Sequence, residues 1–235
     1  MALTKIADGA WLLALGNANA VLLDHQGELT LVDAGFPDKE HVVLRALTQL
    51  GRKPRDLRHL VLTHGHPDHI GSAAAIVAAT GARTYIHAAD AMIAESGGPF
   101  RPMTAAPGVL HKTMFRLVWN PDERTRPIRI DQQVTSDEVL DIAGGLRAIH
   151  TPGHDAGHLA YLWRDDHLLI GGDVFMNIIG LADPVGFEDE AEGRRSQRRL
   201  AHLQFEKAVF GHGRPILSKA SDKLRRKIGE RSVPG

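Results

Sequence analysis

Four side chains able to bind a metal stand close together in the stretch Thr63-His64-Gly65-His66-Pro67-Asp68-His69: His64, His66, Asp68 and His69. The apolar run Leu60-Val61-Leu62 precedes them, and the small-residue pattern from Ile70 to Ala79 follows. That order predicts a strand, a ligand loop and a helix. The strand end fixes where the loop begins, and Gly65 and Pro67 let the backbone fold back tightly, which turns His64 and His66 toward one point. Asp68 and His69 come one helical step later and can face a second point close to the first. One loop thereby offers imidazole and carboxylate ligands to two metals.

With 14 histidines in the chain, one isolated pair would carry little weight, since His-rich loops also cap helices or fill polar surfaces. Three further ligand candidates recur where later strand patterns end. They are His154 in Thr151-Pro152-Gly153-His154, Asp173 in Gly171-Gly172-Asp173, and His212 in Gly211-His212-Gly213. This recurrence favours a built metal site over chance.

The constellation resembles the metallo-β-lactamase-fold superfamily of hydrolases, whose H-x-H-x-D-H motif stands here as His64, His66, Asp68 and His69. The later single ligands of that family match His154, Asp173 and His212, and its N-terminal acidic turn is similar to Leu31-Val32-Asp33-Ala34-Gly35. The resemblance spans nearly all of residues 4 to 220 and implies a four-layer αββα sandwich with the metals at one edge, between the sheets. Periodicity alone predicts only an α/β domain.

By the same resemblance, His64, His66 and His154 would hold one metal and Asp68, His69 and His212 the second, with Asp173 bridging. Such ligands suit two divalent ions, zinc first, with iron, manganese or cobalt as alternatives. A hydroxide shared between two cations would be the nucleophile, and Asp68 would orient it and pass its proton to the leaving group. The expected activity is a dinuclear metal-dependent hydrolase acting on an ester-like bond: a lactone, thioester or carboxylic ester. The alternatives are a phosphodiesterase or promiscuous β-lactamase of the same fold and, from another class, an iron-dependent persulfide dioxygenase. The chain has no cysteine, which excludes the β-lactamases that need a zinc-bound thiolate. The stretch after His212 is short for the helical glutathione-binding domain of a typical glyoxalase II, so a smaller acyl substrate than hydroxyacylglutathione is expected. Tyr161, within a strand pattern, is a poor match for the tyrosine that lactonases of the family place beside their site.

To bring these residues together, the chain must supply strands that end at each candidate ligand. Trp11 to Leu15, Ala20 to Leu23 and Leu29 to Val32 read as a strand meander that ends at Asp33, a turn residue expected to bond local amides, and the family resemblance implies that it shapes the floor of the site without binding metal. A helix is predicted from Pro37 to about Leu50 with Gly51 as its stop. Thr84-Tyr85-Ile86 predicts the next strand, and His87 after it reads as a core or surface residue. Glu138 to Ile142 and Leu146 to Ile149 form a hairpin pattern about Gly144-Gly145. Another hairpin about Asp165-Asp166 leads to Leu168-Leu169-Ile170 and Asp173. His158 reads as a support for His154 by hydrogen bonding. Met176, Asn177, Ile178 and Ile179 are expected to line a pocket. A helix from Glu190 to about Leu203 carries Arg194, Arg195, Arg198 and Arg199, whose charges the preceding acids can pair. The strand Ala208-Val209-Phe210 then delivers His212, and a helix from about Ser218 to Ile228 closes the chain.

Within residues 90 to 128, the stretches 96–103 and 105–108 have neither helical nor strand period, while Met114, Phe115, Leu117, Val118 and Trp119 are apolar. The whole segment is expected to form a lid over the site, a dimer face, or both, within one domain spanning 1–235. A formal net charge of zero gives no global field for nucleic acid or an acidic membrane. No run approaches a membrane span, and the opening residues do not read as a signal peptide, so a cytoplasmic enzyme of small molecules is expected.

Overall fold

A computed structural model describes residues 3–164 and 167–230. The chain runs β1 (Leu3–Ala7), β2 (Ala10–Leu15), β3 (Ala18–His25), β4 (Glu28–Val32), α1 (Glu40–Gln49), β5 (Leu57–Val61), α2 (Pro67–Ile70), α3 (Ala73–Thr80), β6 (Arg83–His87) and α4 (Ala88–Ser96). It continues through β7 (Thr104–Ala105), α5 (Val109–Val118), β8 (Gln132–Val134), β9 (Val139–Leu140), β10 (Leu146–His150), β11 (Leu159–Trp163) and β12 (Leu168–Ile170). Then come β13 (Gly186–Phe187), α6 (Glu190–Ala201), β14 (Lys207–Val209) and α7 (Ala220–Glu230).

Seven strands form one sheet in the order β1-β2-β3-β4-β5-β6-β8, and five form a second in the order β14-β12-β11-β10-β9. The sheets pack face to face with helices on both outer sides, an αββα sandwich. Strand period explains the layering. In β3, Ala20 and Leu22 face the cluster under α1 and α3, while Val21 and Leu23 face the second sheet. In β11, Leu159, Tyr161 and Trp163 face the first sheet, and Ala160 and Leu162 join the cluster that includes Leu200 of α6 and Leu224 of α7. A strand buried on both faces has no polar face to alternate with, hence the continuous apolar runs.

Several boundaries differ from the sequence expectation. The meander gains a leading strand, β1, which pairs antiparallel with β2. The helix expected from Ile70 to Ala79 is two pieces, α2 and α3. At the break, the Ser72 hydroxyl donates to the Phe36 carbonyl (2.5 Å) and accepts from the Lys39 amide (2.7 Å). The backbone is thus tied to the preceding loop instead of continuing one helix. Pro37 lies ahead of α1 rather than in its first turn. Residues 90–128 are more ordered than their pattern suggested: α4 covers the start, β7 pairs with β13, and α5 crosses the middle with none of its residues buried. The expected turn at Asp165-Asp166 lies outside the described residues. Among the described residues, no helix is long and apolar enough to cross a membrane.

Candidate metal centre

The candidate ligand loop sits at one edge of the two packed sheets, where their strand ends come together. Leu62 extends β5 by donating to the Tyr85 carbonyl (2.8 Å), and the Thr63 carbonyl accepts from the Leu159 amide of the other sheet (2.7 Å). Tyr161, away from the cleft as its strand position implied, donates its hydroxyl to the Leu62 carbonyl (3.0 Å). Pro67 then opens α2, where its missing N–H costs nothing and its fixed φ suits a first turn. That short helix presents Asp68 and His69.

Ligand atoms gather in two groups with a carboxylate between them. His64, His66 and His154 form one, and Asp68, His69 and His212 form the other, each with its atoms within 4.8 Å of one another. In the first, His66 Nδ1 lies 3.0 Å from His154 Nε2. In the second, His212 Nε2 is 3.1 Å and His69 Nε2 3.7 Å from Asp68 Oδ2. Asp173 stands between, with Oδ1 3.4 Å from His69 Nε2 and Oδ2 3.2 Å from His212 Nε2 and 3.6 Å from His154 Nε2. Ligands about 2.0–2.1 Å from a tetrahedral zinc lie about 3.3 Å apart, within this spread. His64 Nε2, His69 Nε2 and Asp173 Oδ1 are buried without a hydrogen-bond partner. Orphaned buried acceptors are costly unless something binds them, and a divalent cation at each group would satisfy them. Gly211 makes the space: a Cβ there would lie 2.0 Å from Asp173 Oδ1.

Four of the imidazoles are aimed from behind. Thr63 Oγ1 donates to Asp33 Oδ2 (2.8 Å), which leaves it to accept from His64 Nδ1 (2.9 Å). His69 Nδ1 donates to Asp33 Oδ2 (2.9 Å), His154 Nδ1 to the Gly186 carbonyl (2.8 Å) and His212 Nδ1 to the Asn17 carbonyl (2.8 Å). Each contact fixes the tautomer that leaves Nε2 bare toward the site. Asp33 is therefore more than a local turn residue. It adopts φ +67°, and its Oδ1 accepts from the Thr63 amide at 2.8 Å, thirty residues away. His158 also differs from expectation: its Nε2 accepts from the Asp173 amide (2.9 Å), so it steadies Asp173 rather than His154. His87 stacks on His150 outside the centre, with ring centroids 4.2 Å apart.

Burial, reinforced by neighbouring imidazoles, pushes His64 well below the ordinary histidine range, and burial likewise lowers His154. Both rings stay neutral with a lone pair available. At His69 burial opposes protonation, but Asp68, Asp173 and Asp33 outweigh it and raise the group well above its usual value. His212 is raised in the same way against burial by Asp173 and Asp68. Burial opposes ionisation of Asp68, yet His69 and His212 hold its carboxyl below the usual range. The carboxylates thus create a demand for positive charge at the nitrogens where a cation would sit.

The centre floors a cleft of about 740 Å³, which Asp68, His66, His154, Asp173 and His212 reach. Its walls include Phe36, Met103, Met114, Leu117, Trp119 and Met176, and none of its described lining residues is Lys or Arg. Trp119 and His66 pack edge to face, ring centroids 5.5 Å apart. Met176 and Ile178 line the cleft as expected; Asn177 instead pairs with the segment after His212, and Ile179 is exposed. The arginines of α6 are largely paired internally, Arg194 with Asp183 and Glu190, Arg195 with Glu192, and Arg199 with Asp137.

Fold and centre together define a metal-dependent hydrolase class, and residues 13–212 match the profile of the metallo-beta-lactamase superfamily. The chain belongs to that superfamily. It is 29% identical to the uncharacterized protein YobT of Bacillus subtilis, over 92% of this chain and 91% of that one. It is 30% identical to a hydroxyacylglutathione hydrolase of Rhizobium etli over 83% of this chain and 62% of that one. Among solved structures, the metallo-beta-lactamase family protein TTHA1429 of Thermus thermophilus superposes with a TM-score of 0.71 at 25% identity, covering 97% of this chain and 80% of that one.

Proposed function

We propose that this enzyme is a dinuclear hydrolase of an uncharged, apolar ester-like substrate: a lactone, thioester or carboxylic ester. One observation carries the reading: two triads of ligand atoms joined by the Asp173 carboxylate, at the floor of a cleft walled by methionine, leucine and aromatic side chains. His64, His66 and His154 would hold one metal, Asp68, His69 and His212 the other, and Asp173 both, with zinc the best match to these donors. Bound there, divalent cations supply Lewis acidity, which polarises a carbonyl oxygen and brings the pKa of water to about 7.

The chain's own groups do the rest. Asp68 is the most exposed member of the set, its side chain 23% accessible against 0–6% for His69 and Asp173. Its carboxylate stays ionised at neutral pH and faces the cleft, where it accepts a proton from water and returns it to the leaving oxygen or sulfur. Trp119, Phe36 and Met176 exclude bulk water and receive the apolar acyl or ring portion.

The absence of Lys and Arg from the described lining favours a neutral ester over a phosphodiester, whose anionic oxygens would seek such partners. Relatives named hydroxyacylglutathione hydrolase and atrochrysone carboxyl ACP thioesterase lend weight to acyl substrates; the chain spans 42% of the latter. Metal analysis of the purified protein, with parallel rates on lactones, thioesters, aryl phosphodiesters and β-lactams, is the test. Two zinc-like ions per chain and fastest turnover of lactones or thioesters, lost on chelation, are expected. A single iron with oxygen uptake on a persulfide would replace the reading with a dioxygenase.

A further inference from the structure

Arg101, at the root of the segment that carries α5, gathers acidic side chains from three places. Its Nη2 donates to Asp155 Oδ2 (2.8 Å) and to Asp90, and its Nε to Glu188 Oε1 (2.9 Å). Each acid grips the backbone or side chain of a ligand loop. Asp90, fully buried in α4, accepts from the Gly65 amide (3.0 Å), between His64 and His66. Glu188 accepts from the Ala156 amide (2.9 Å), and its own amide donates to the His154 carbonyl (3.2 Å). Asp155 directs Oδ2 at His66 Nε2, 3.6 Å away. The packing is close enough that a Cβ at Gly157 would lie 2.3 Å from Asp90 Cγ. His66, Asp155 and Glu188 even meet the spacing of a metal-binding group. The guanidinium supplies the positive charge that these acids require, and its fork reaches all three.

His66 is the odd member of the imidazole set. The other four turn Nε2 into the site, whereas His66 turns Nδ1 toward His154 (3.0 Å) and points Nε2 at Asp155. That Nε2 is buried and has no hydrogen-bond partner. An imidazole that binds metal through Nδ1 carries its proton on Nε2, and a carboxylate facing Nε2 favours that tautomer. We propose that Arg101 is a positioning residue that sets the His66 tautomer through Asp155, coupling the root of the α5 segment to the first metal position. This rests on the metal assignment made above.

Zinc affinity of the full chain by chelator competition, with ¹⁵N-histidine NMR of the zinc-loaded protein, tests it in Arg101→Met and Arg101→Lys. Arg101→Met is expected to weaken one of two zinc equivalents by about 10–100-fold and leave the other unchanged. The His66 signals should lose the Nε2-protonated signature, and Arg101→Lys should recover part of both effects. Because Arg101→Met leaves three acids unpaired, Asp155→Ala provides a second route: it removes the acceptor, leaves Arg101 paired with Asp90 and Glu188, and should give the same selective loss. Wild-type zinc affinity with unchanged His66 signals in Asp155→Ala would overturn the relay while leaving the metal assignment intact. A wild-type protein that binds no zinc would overturn both.

Discussion

The floor and the wall of the cleft are built on opposite principles. On the floor, His64, His69, His154 and Asp173 are almost wholly buried, and four imidazoles are each fixed by a hydrogen bond of 2.8–2.9 Å from behind. On the wall, α5 buries none of its residues, and Leu117 is 80% and Val118 60% exposed. Polar groups can be held to a fraction of an ångström only where burial makes an unmade hydrogen bond costly. Apolar contacts are non-directional and place a ligand loosely. The floor is thus suited to one chemistry and the wall to a range of apolar shapes. Chemistry and substrate preference should therefore break separately.

The largest effect should come from the floor. Asp68→Asn keeps the shape of the side chain and removes the negative charge that His69 and His212 share. Turnover is expected to fall about 10²–10⁴-fold, with metal content largely kept and KM little changed. Steady-state rates beside metal analysis check this; wild-type rates in the variant would remove Asp68 from the proton route.

A smaller effect concerns stability. His69 and His212 have folded-state values raised above the ordinary 6.5. The stability they contribute is fully present below pH 6.5 and is lost as pH rises through their higher folded values. Around pH 6.5 the buried neutral histidines, His64 and His154 among them, gain stability with rising pH and oppose this loss, so the metal-free protein should melt at progressively lower temperature as pH rises above about 7.5. With zinc on the same nitrogens, positive charge no longer depends on protons, and the melting temperature should stay nearly flat over that range. Parallel melting curves with and without metal decide it, and equal slopes would mean that these groups are not what the cation replaces.

What the sequence disclosed follows the same division. Candidate ligands recur at strand ends because only there can both sheets deliver side chains to one edge, so His64, His154, Asp173 and His212 stand after apolar runs that can be read directly. The backing groups leave no such trace. Asn17 and Gly186 act through backbone carbonyls, which any residue owns; Thr63 looks like an ordinary loop residue, and only the family resemblance, not its own local pattern, marks Asp33 as part of the site floor. Arg101 lies in a stretch with no period, and its three partners come from distant positions. The helix α5 does carry a helical apolar period, with Val109 and Leu110, Met114, and Leu117 and Val118 one turn apart, but Met114, Leu117 and Val118 face the cleft rather than a core, so the pattern does not say what the helix packs on. Strand β1 leaves no trace for a plainer reason. At the sheet edge only Ile6 of its five residues is fully buried, so it shows no apolar run.

The wall should yield the smallest and most selective change. Leu117 lines the cleft yet is 80% exposed, so Leu117→Ser removes apolar surface without opening a cavity in the core. Stability should stay within about 0.5 kcal/mol of wild type, as for other exposed positions. The lost contact with an apolar acyl chain is worth about 1 kcal/mol, which corresponds to a rise in KM of roughly fivefold with kcat unchanged. The rise should grow with acyl chain length across a homologous ester series and vanish for acetyl esters, which are too short to reach the wall. Loss of kcat instead, at equal size for short and long esters, would mean that α5 orders the floor. The two regions would then be one mechanical unit, and the separation argued from burial and hydrogen bonding would not hold.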